Sequence, residues 1–308
     1  MGSRRRGNPV HGWVILDKPG NITSTQAVGV VRRVFNANKA GHAGTLDPIA
    51  TGILPIALGE ATKTVPYVMD ASKDYHFVLR WGQATTTDDI EGTVIEESDH
   101  RPDAAAIKAA LAAFIGHIEQ TPPKFSAVKI AGQRAYDLAR NDVDVTISSR
   151  IVDIRDFTLV EMIDRDHARF AVTSGKGAYM RSLARDLAAA LGTVGHIAEL
   201  RRLRVGPFSL ARSISLDSLR SLEHIPAAFE HLLPVDTALD DIPALVLQGE
   251  EVTRLRQGQP VSVFRVIDRG KLGDLQEGDL VYATDGEQPV AISRIDGGRV
   301  CPIRVLNF

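Results

Sequence analysis

Between about Pro234 and Gly249 the texture of this chain changes, and the change limits what can fold on either side of it. Beyond it, short apolar segments at Val261 to Val266, Leu280 to Ala283, Val290 to Ile295 and Val300 to Leu306 are separated by Gly273-Asp274, Gly278-Asp279, Asp285-Gly286 and Gly297-Gly298. Apolar runs of that length between such turn pairs predict a small β-barrel over 246–308. Ahead of it, strand and helix patterns mingle. Trp13 to Leu16 reads as a buried strand stopped by Lys18-Pro19-Gly20, and a helix with Ser24 as N-cap follows, with Val28, Val31 and Phe35 on one face. Tyr75 to Trp81 and Thr93 to Ile95 read as strands, and Asp103 caps a helix with Ile107, Ala110, Leu111 and Phe114 on its apolar face, closed by Gly116. Ala168, Phe170 and Val172 alternate with Arg169, Ala171 and Thr173 as in a strand. After Gly175-Lys176-Gly177, Met180, Leu183, Ala184, Leu187 and Leu191 mark an amphipathic helix that Gly192 ends. Elements mixed without strict alternation predict an α+β unit over 8–238, a mixed and largely antiparallel central sheet with flanking helices.

With 308 residues the chain can bury a core in each unit, and its 44% apolar and 24% charged residues are those of an ordinary soluble globular protein. No apolar run approaches the length of a membrane span, and Arg4, Arg5 and Arg6 are not followed by the apolar stretch of a signal peptide, so a cytoplasmic protein without a membrane partner is expected. The single cysteine, Cys301, excludes an intrachain disulfide and a multi-cysteine metal site. A net charge of −2 supplies no global attraction to nucleic acid, so any such binding must come from local clusters. Arg201, Arg202 and Arg204 form one; Lys124, Lys129, Arg134 and Arg140 form another. The acids gather elsewhere, at Asp88, Asp89, Glu91, Glu96, Glu97 and Asp99, and solvated faces of both signs are the plain reading.

Familiar chemistries fail on spacing. A phosphate-binding loop at Gly175-Lys176 would need glycine where Phe170 stands and Ser or Thr where Ala178 stands. A dinucleotide fingerprint fails at Met180, the nine histidines contain no pair at metal-ligand spacing, and no Gly-x-Ser-x-Gly elbow exists. What stands out is the segment from Gly41 to Pro55, GHAGTLDPIATGILP. Its glycines allow tight turns, and Pro48 biases Asp47 away from helical dihedrals, which holds the carboxylate in one direction. Such an Asp is a nucleophile or base; equally, it closes an Asx-turn or caps the next element.

That segment resembles the catalytic motif of TruB-type pseudouridine synthases, and further stretches match the same family in order. These are Leu16-Asp17-Lys18-Pro19-Gly20 with Thr23-Ser24, Gly59-Glu60-Ala61-Thr62-Lys63, Ser126-Ala127-Val128-Lys129 with Gly132, Arg134, Ala135 and Tyr136, Lys176-Gly177-Ala178-Tyr179-Met180-Arg181, and Leu200-Arg201-Arg202-Leu203. Together they span residues 12 to 207. The C-terminal segments resemble the PUA-type RNA-binding barrel in strand pattern and position.

The resemblance implies the pseudouridine synthase fold and the isomerisation of uridine 55 in the tRNA T-loop, without cofactor or metal. Asp47 falls on the catalytic carboxylate, Arg181 on the arginine that keeps it ionised, and Tyr75 on the tyrosine that stacks on the base and is implicated in removing the C5 proton. His42 falls on the residue that fills the space left by flipped bases, or is a hydrogen-bonded loop histidine. Tyr179 and Leu200 match pocket walls; Lys18 and Lys63 match positions near the cleft, Lys18 either holding the loop or touching RNA. The stretch 124–150, with Lys129 and Arg134, corresponds to an insertion that grips the T-loop. Its likeness to the bacterial form implies action without guide RNA or obligate protein partner. A tRNA-binding chaperone without catalysis and a small-molecule glycoside hydrolase are the rival readings.

Overall fold

The computed structural model describes residues 7–125, 147–262 and 275–308, together with the backbone of 129–130 and 133–134. The chain opens with β1 (Gly12–Lys18), α1 (Ser24–Val34), β2 (Ala40–His42), β3 (Thr51–Leu58), α2 (Val65–Asp70) and β4 (Lys73–Trp81). A two-stranded ladder, β5 (Gln83–Thr85) with β6 (Val94–Glu97), leads to α3 (Ala104–Leu111) and β7 (Gly116–Gln120). The short β8 (Lys129–Ile130) and β9 (Gln133–Arg134) pair with each other. The long hairpin of β10 (Arg150–Met162) and β11 (His167–Ser174) precedes α4 (Met180–Ala190), β12 (Gly195–Val205), β13 (Phe208–Ser209), β14 (Ile214–Ser215) and α5 (Leu216–Ser221).

The main sheet runs β14-β1-β3-β12-β4-β11-β10-β7, with β2 joined to β3 and β13 to β12. β1 with β14 and β3 with β12 are parallel, and the other pairings are antiparallel. The expected α+β architecture with a mixed, largely antiparallel sheet is therefore the one found.

Alternation decides which side chains go where. Along β4, Tyr75, Phe77, Leu79 and Trp81 enter the main core, while His76 and Arg80 stay half-buried on the other face. Met180, Leu183, Ala184, Leu187 and Ala188 of α4 meet that core from the helical side, as their spacing predicts. β1 and β3 are buried on both faces. Val14 and Leu16 point into the main core, but Trp13 and Ile15 join Ile53, Ala57, Phe208 and Leu306 in a second one, which is why Trp13 to Leu16 reads as an unbroken apolar run.

Local differences from the sequence reading have clear causes. Thr23, not Ser24, is the N-cap of α1, because Thr23 and Gln26 form a reciprocal capping box. The helix from Asp103 stops at Leu111, and Gly116 instead opens β7 with φ +98°.

After Pro234 the chain forms β15 (Ala244–Val246), α6 (Glu250–Arg256), β16 (Val261–Ser262), β17 (Leu280–Thr284), β18 (Pro289–Asp296) and β19 (Arg299–Val305). Their sheet runs β15-β17-β18-β19-β16 around a core of its own. No helix of the described residues is long and apolar enough to cross a membrane.

Candidate active site

The loop between β2 and β3 carries Asp47, and three buried side chains hold it. Ser24 Oγ accepts from Leu46 N at 2.9 Å and donates to Leu46 O at 3.0 Å, gripping the residue before Asp47 at both backbone atoms. Lys18 Nζ donates to the carbonyls of Pro19, Ile22 and Pro48 at 2.8, 2.9 and 3.1 Å. With no exposed surface and all three ammonium protons engaged, Lys18 supports the loop and has nothing left for RNA. Burial lowers its amine to about 8, and the negative charge of Asp47 works against that shift. Arg202, from β12, reaches under the same loop to the carbonyls of Gly44 and Ile53.

Arg181 lies in the first turn of α4 and meets Asp47 side-on. Its Nε is 2.9 Å from Oδ2, and its Nη2 donates to Oδ1 at 3.1 Å. The guanidinium is fixed on its far side by Thr87 O at 2.9 Å and Phe125 O at 2.8 Å, and by Asp89 Oδ2 at 3.6 Å. Arg181 and Asp89 are 5% and 3% exposed at the side chain, whereas Asp47 is 31% exposed. The carboxylate is thus the open end of a buried triad. Burial raises the Asp47 carboxyl above its ordinary range, Arg181 opposes the rise, and the like charge of Asp89 adds to it.

Beside this cluster β3 and β12 pair only at Arg201↔Thr51 and Arg202↔Gly52. Gly52, with φ +99°, must be glycine there, since a Cβ would stand 2.1 Å from Arg202 O. A groove of about 440 Å³ lies alongside, lined by Ile49, Thr51, Phe77, Leu200 and Arg201 among others. Leu200 therefore shares a groove wall with Ile49, the residue that follows the Asp47-Pro48 turn. Tyr75 is 8% exposed and sits across from Arg202 in the β4–β12 register. Tyr179 is the N-cap of α4; the buried Gln120 bonds its N–H at 2.7 Å and its carbonyl at 3.1 Å, and Arg150 lies 4.8 Å over its ring. His42 ends β2, half-buried and paired with Ile56.

Lys63 is not brought to this cluster. Its Nζ bonds Glu60 Oε2 at 2.6 Å and Val305 O at 2.7 Å, so it fastens the last strand of the C-terminal sheet instead of facing the cleft. Lys129 and Arg134 are register partners in the β8–β9 ladder, and their side chains lie outside the described residues. Sequence reasoning missed the parts that act behind the front: Asp89, hidden in what reads as a solvated acidic run, Arg202, Gln120 and the loop-gripping hydroxyl of Ser24. Leu200-Arg201-Arg202-Leu203 drew attention to Arg202, but nothing in the residue string marks it as buried.

Two family profiles match the chain in succession. Residues 32–180 match the N-terminal domain of TruB family pseudouridylate synthase, and residues 181–240 match the tRNA pseudouridylate synthase B C-terminal domain. The tRNA pseudouridine synthase B of Rhodospirillum rubrum is 54% identical over 308 residues, and that of Caulobacter vibrioides 52% over 310, each covering 100% of both chains. Among solved structures, a chain of a Cbf5-Nop10-Gar1 complex superposes with a TM-score of 0.72 at 26% identity, covering 96% of this chain and 84% of that one. A chain of an H/ACA RNP bound to a substrate RNA does so with a TM-score of 0.73 at 23% identity, covering 100% and 92%, a likeness of fold. Whole-length identity above one half, on a shared fold, leaves one conclusion: the chain belongs to the TruB family of pseudouridylate synthases.

Proposed function

We propose that this protein converts uridine 55 of the tRNA T-loop to pseudouridine, with Asp47 as the catalytic carboxylate. The observation that carries this reading is the side-on contact of Arg181 with a carboxylate that is open on its other side. A stacked uridine cannot present C1′ and C5 to a protein group, so the nucleotide must first be everted, with His42 taking the vacated space. The N1–C1′ bond then breaks, and its electron pair leaves with the uracil. Asp47 either bonds to C1′, as in a retaining glycosidase, or removes the C2′ proton to leave a glycal. The base turns and C5 bonds to C1′ as the Asp47–C1′ bond breaks with its electron pair returning to the carboxylate, or, on the glycal route, as Asp47 gives its proton back to C2′; the C5 proton then departs while N1 gains one. No external electron donor or acceptor is involved.

Arg181 holds Asp47 ionised against the desolvation that a seated nucleoside would complete. Tyr75 supplies an aromatic face and a hydroxyl for the C5 proton, and Leu200 and Tyr179 bound the pocket. Lys129 and Arg134 contact the T-loop backbone from the 124–150 insertion, and the 246–308 unit adds PUA-like RNA contact. The relatives' names, all tRNA pseudouridine synthases, support tRNA as the substrate.

Purified protein incubated with a T-loop stem-loop transcript, in chelator and without nucleotide, should place pseudouridine at that one uridine. Site-resolved mapping that finds none with folded protein and RNA would overturn the reading. RNA refolding that persists at full rate with no isomerisation would point to a chaperone instead.

A further inference from the structure

β7 ends at Gln120, because Thr121 is followed by Pro122 and Pro123, which have no N–H to extend the ladder with β10. The chain leaves the sheet there and meets the start of α4. Gln120 is 1% exposed, and a buried amide persists where its donor and acceptor are both met. One residue meets them: Nε2 donates to Tyr179 O at 3.1 Å, and Oε1 accepts from Tyr179 N at 2.7 Å. The side chain thus does for Tyr179 what a neighbouring strand would do, holding both backbone groups at once across 59 residues of sequence. Tyr179 is the N-cap of α4 and makes no capping bond with its own side chain, so the helix takes its starting position from β7. The residues after Gln120 add to this hold. Thr121 O accepts from Ser182 Oγ at 2.8 Å and from Arg185 Nη2 at 3.0 Å, and Phe125 O accepts from Arg181 Nη2 at 2.8 Å. Arg150, the register partner of Gln120, donates to Gly177 O just ahead of the helix.

We propose that Gln120 is a positioning residue for the isomerisation: by holding both backbone groups of Tyr179 it sets the height of α4 at which the Arg181 guanidinium meets Asp47 side-on. The inference rests on the proposed role of Asp47. The two halves of that contact are anchored separately. Lys18, Ser24 and Arg202 hold the Asp47 loop to β1, α1 and β12, and their hydrogen bonds among the described residues do not reach α4. Arg181 sits two residues beyond Tyr179, so a slide of α4 along its axis carries the guanidinium with it. Its Nη2, shared between Asp47 Oδ1 and Phe125 O, would lose the side-on geometry. The packing of Met180, Leu183 and Leu187 presses α4 onto the core but is non-directional, whereas a reciprocal pair of hydrogen bonds fixes the helix start in both distance and angle.

The test is Gln120→Met, similar in length and shape but unable to make either bond. On the T-loop stem-loop, kcat should fall on the order of 10- to 100-fold, the scale of a small misplacement, with KM for RNA within about threefold of the parent. The pH profile separates positioning from a general loss of structure. The charged groups around Asp47 are Arg181 on α4, Lys18 on β1, Arg202 on β12, and Asp89 and Glu91 in the loop between β5 and β6. Of these only Arg181 lies on α4. The variant should therefore lose part of the attraction that opposes the rise in the Asp47 carboxyl, and the acid limb of kcat/KM should move up by at least about half a pH unit. An enzyme that is merely less stable would melt earlier, with kcat of its folded fraction and the limb unchanged. A kcat within about threefold of the parent, a loss confined to KM, or a lowered kcat with an unmoved limb would overturn the proposal. Should Gln120→Met not fold, Gln120→Asn, whose amide stops one methylene short of Tyr179, is measured in the same way. Its kcat should fall about tenfold with the limb raised, and parent-like values of both would sink the idea. A parent enzyme inactive on the stem-loop would refute the proposed function itself, an outcome separate from either of these.

Discussion

Two motif segments lie within twenty residues of each other, match the same family equally well, and do opposite work. The Gly41–Pro55 loop holds a carboxylate that is partly exposed, with Arg181 and Asp89 buried behind it. The Gly59–Lys63 turn points the other way: Lys63 bonds Glu60 and the carbonyl of Val305, Asn307 N donates to Glu60 Oε2 at 2.8 Å, and His11 meets Phe308 edge-on at 5.4 Å. A motif match therefore marks residues that the fold needs without saying whether they face substrate or a neighbouring strand. Charge arrangement separates the two. In the first segment two carboxylates share one arginine, and for Asp47 the burial outweighs what Arg181 and Lys18 offset. In the second every charge is matched.

The difference predicts that the first segment trades stability for function, and Asp47→Asn is the largest test of it. Turnover should fall by at least about 10⁴-fold, the scale seen when a group central to bond breaking is removed, with RNA affinity within about threefold. The variant should also melt no lower than the parent. Asp47 has a folded pKa above its unfolded value, so its contribution to stability is full below the ordinary carboxylate range and is lost as pH rises through the raised value. At neutral pH the ionised Asp47 is a cost, and the Asn variant leaves Arg181 neutralised by Asp89. A clear drop in melting temperature at pH 7 would break the comparison. The same raised value places the acid limb of the kcat/KM profile above the range of an ordinary aspartate, and a limb at or below about pH 4 would contradict it.

Arg181→Met should follow in size. It strands two carboxylates together in a buried site, and breaking such a pair costs about 3–5 kcal/mol of stability. Denaturant unfolding measures this directly, and Asp89→Asn in the same background should recover part of the loss. A variant as stable as the parent would mean that the triad is better solvated than its burial indicates.

The fold was largely legible because its elements are local. Val28, Val31, Met180 and Leu187 declare helix faces by spacing, and the alternation at Ala168 to Thr173 declares β11. The candidate site was legible only through resemblance. Arg181 and Asp47 are 134 residues apart in the chain, and Arg202 and Gly44 are 158 apart, so no window of sequence contains either pair. Asp89 is further disguised. It sits in a stretch rich in acids, and it turns inward because Asp88 adopts a positive φ of 60° and Thr87 bonds its carboxylate. Lys63 shows the converse: resemblance placed it near the cleft, yet the strand that claims it lies 242 residues downstream.

Lys63→Met gives the smallest effect and the sharpest contrast. Burial would raise the Glu60 carboxyl, but hydrogen bonds from Lys63 and from the N–H of Asn307 outweigh it and hold the group below its ordinary range. Glu60 therefore adds stability above the unfolded carboxylate range that is lost as pH falls through its lowered value. The pair is partly exposed, so its removal should cost about 1 kcal/mol or less at pH 7, and nearly nothing in acid once Glu60 is protonated. Because Lys63 touches the last strand and not the Asp47 cluster, kcat on a T-loop stem-loop should stay within about twofold of the parent, since surface pairs of this kind rarely propagate into distant chemistry. A kcat loss approaching that of Asp47→Asn would place Lys63 in the catalytic machinery after all, and the division between the two motif segments would fall.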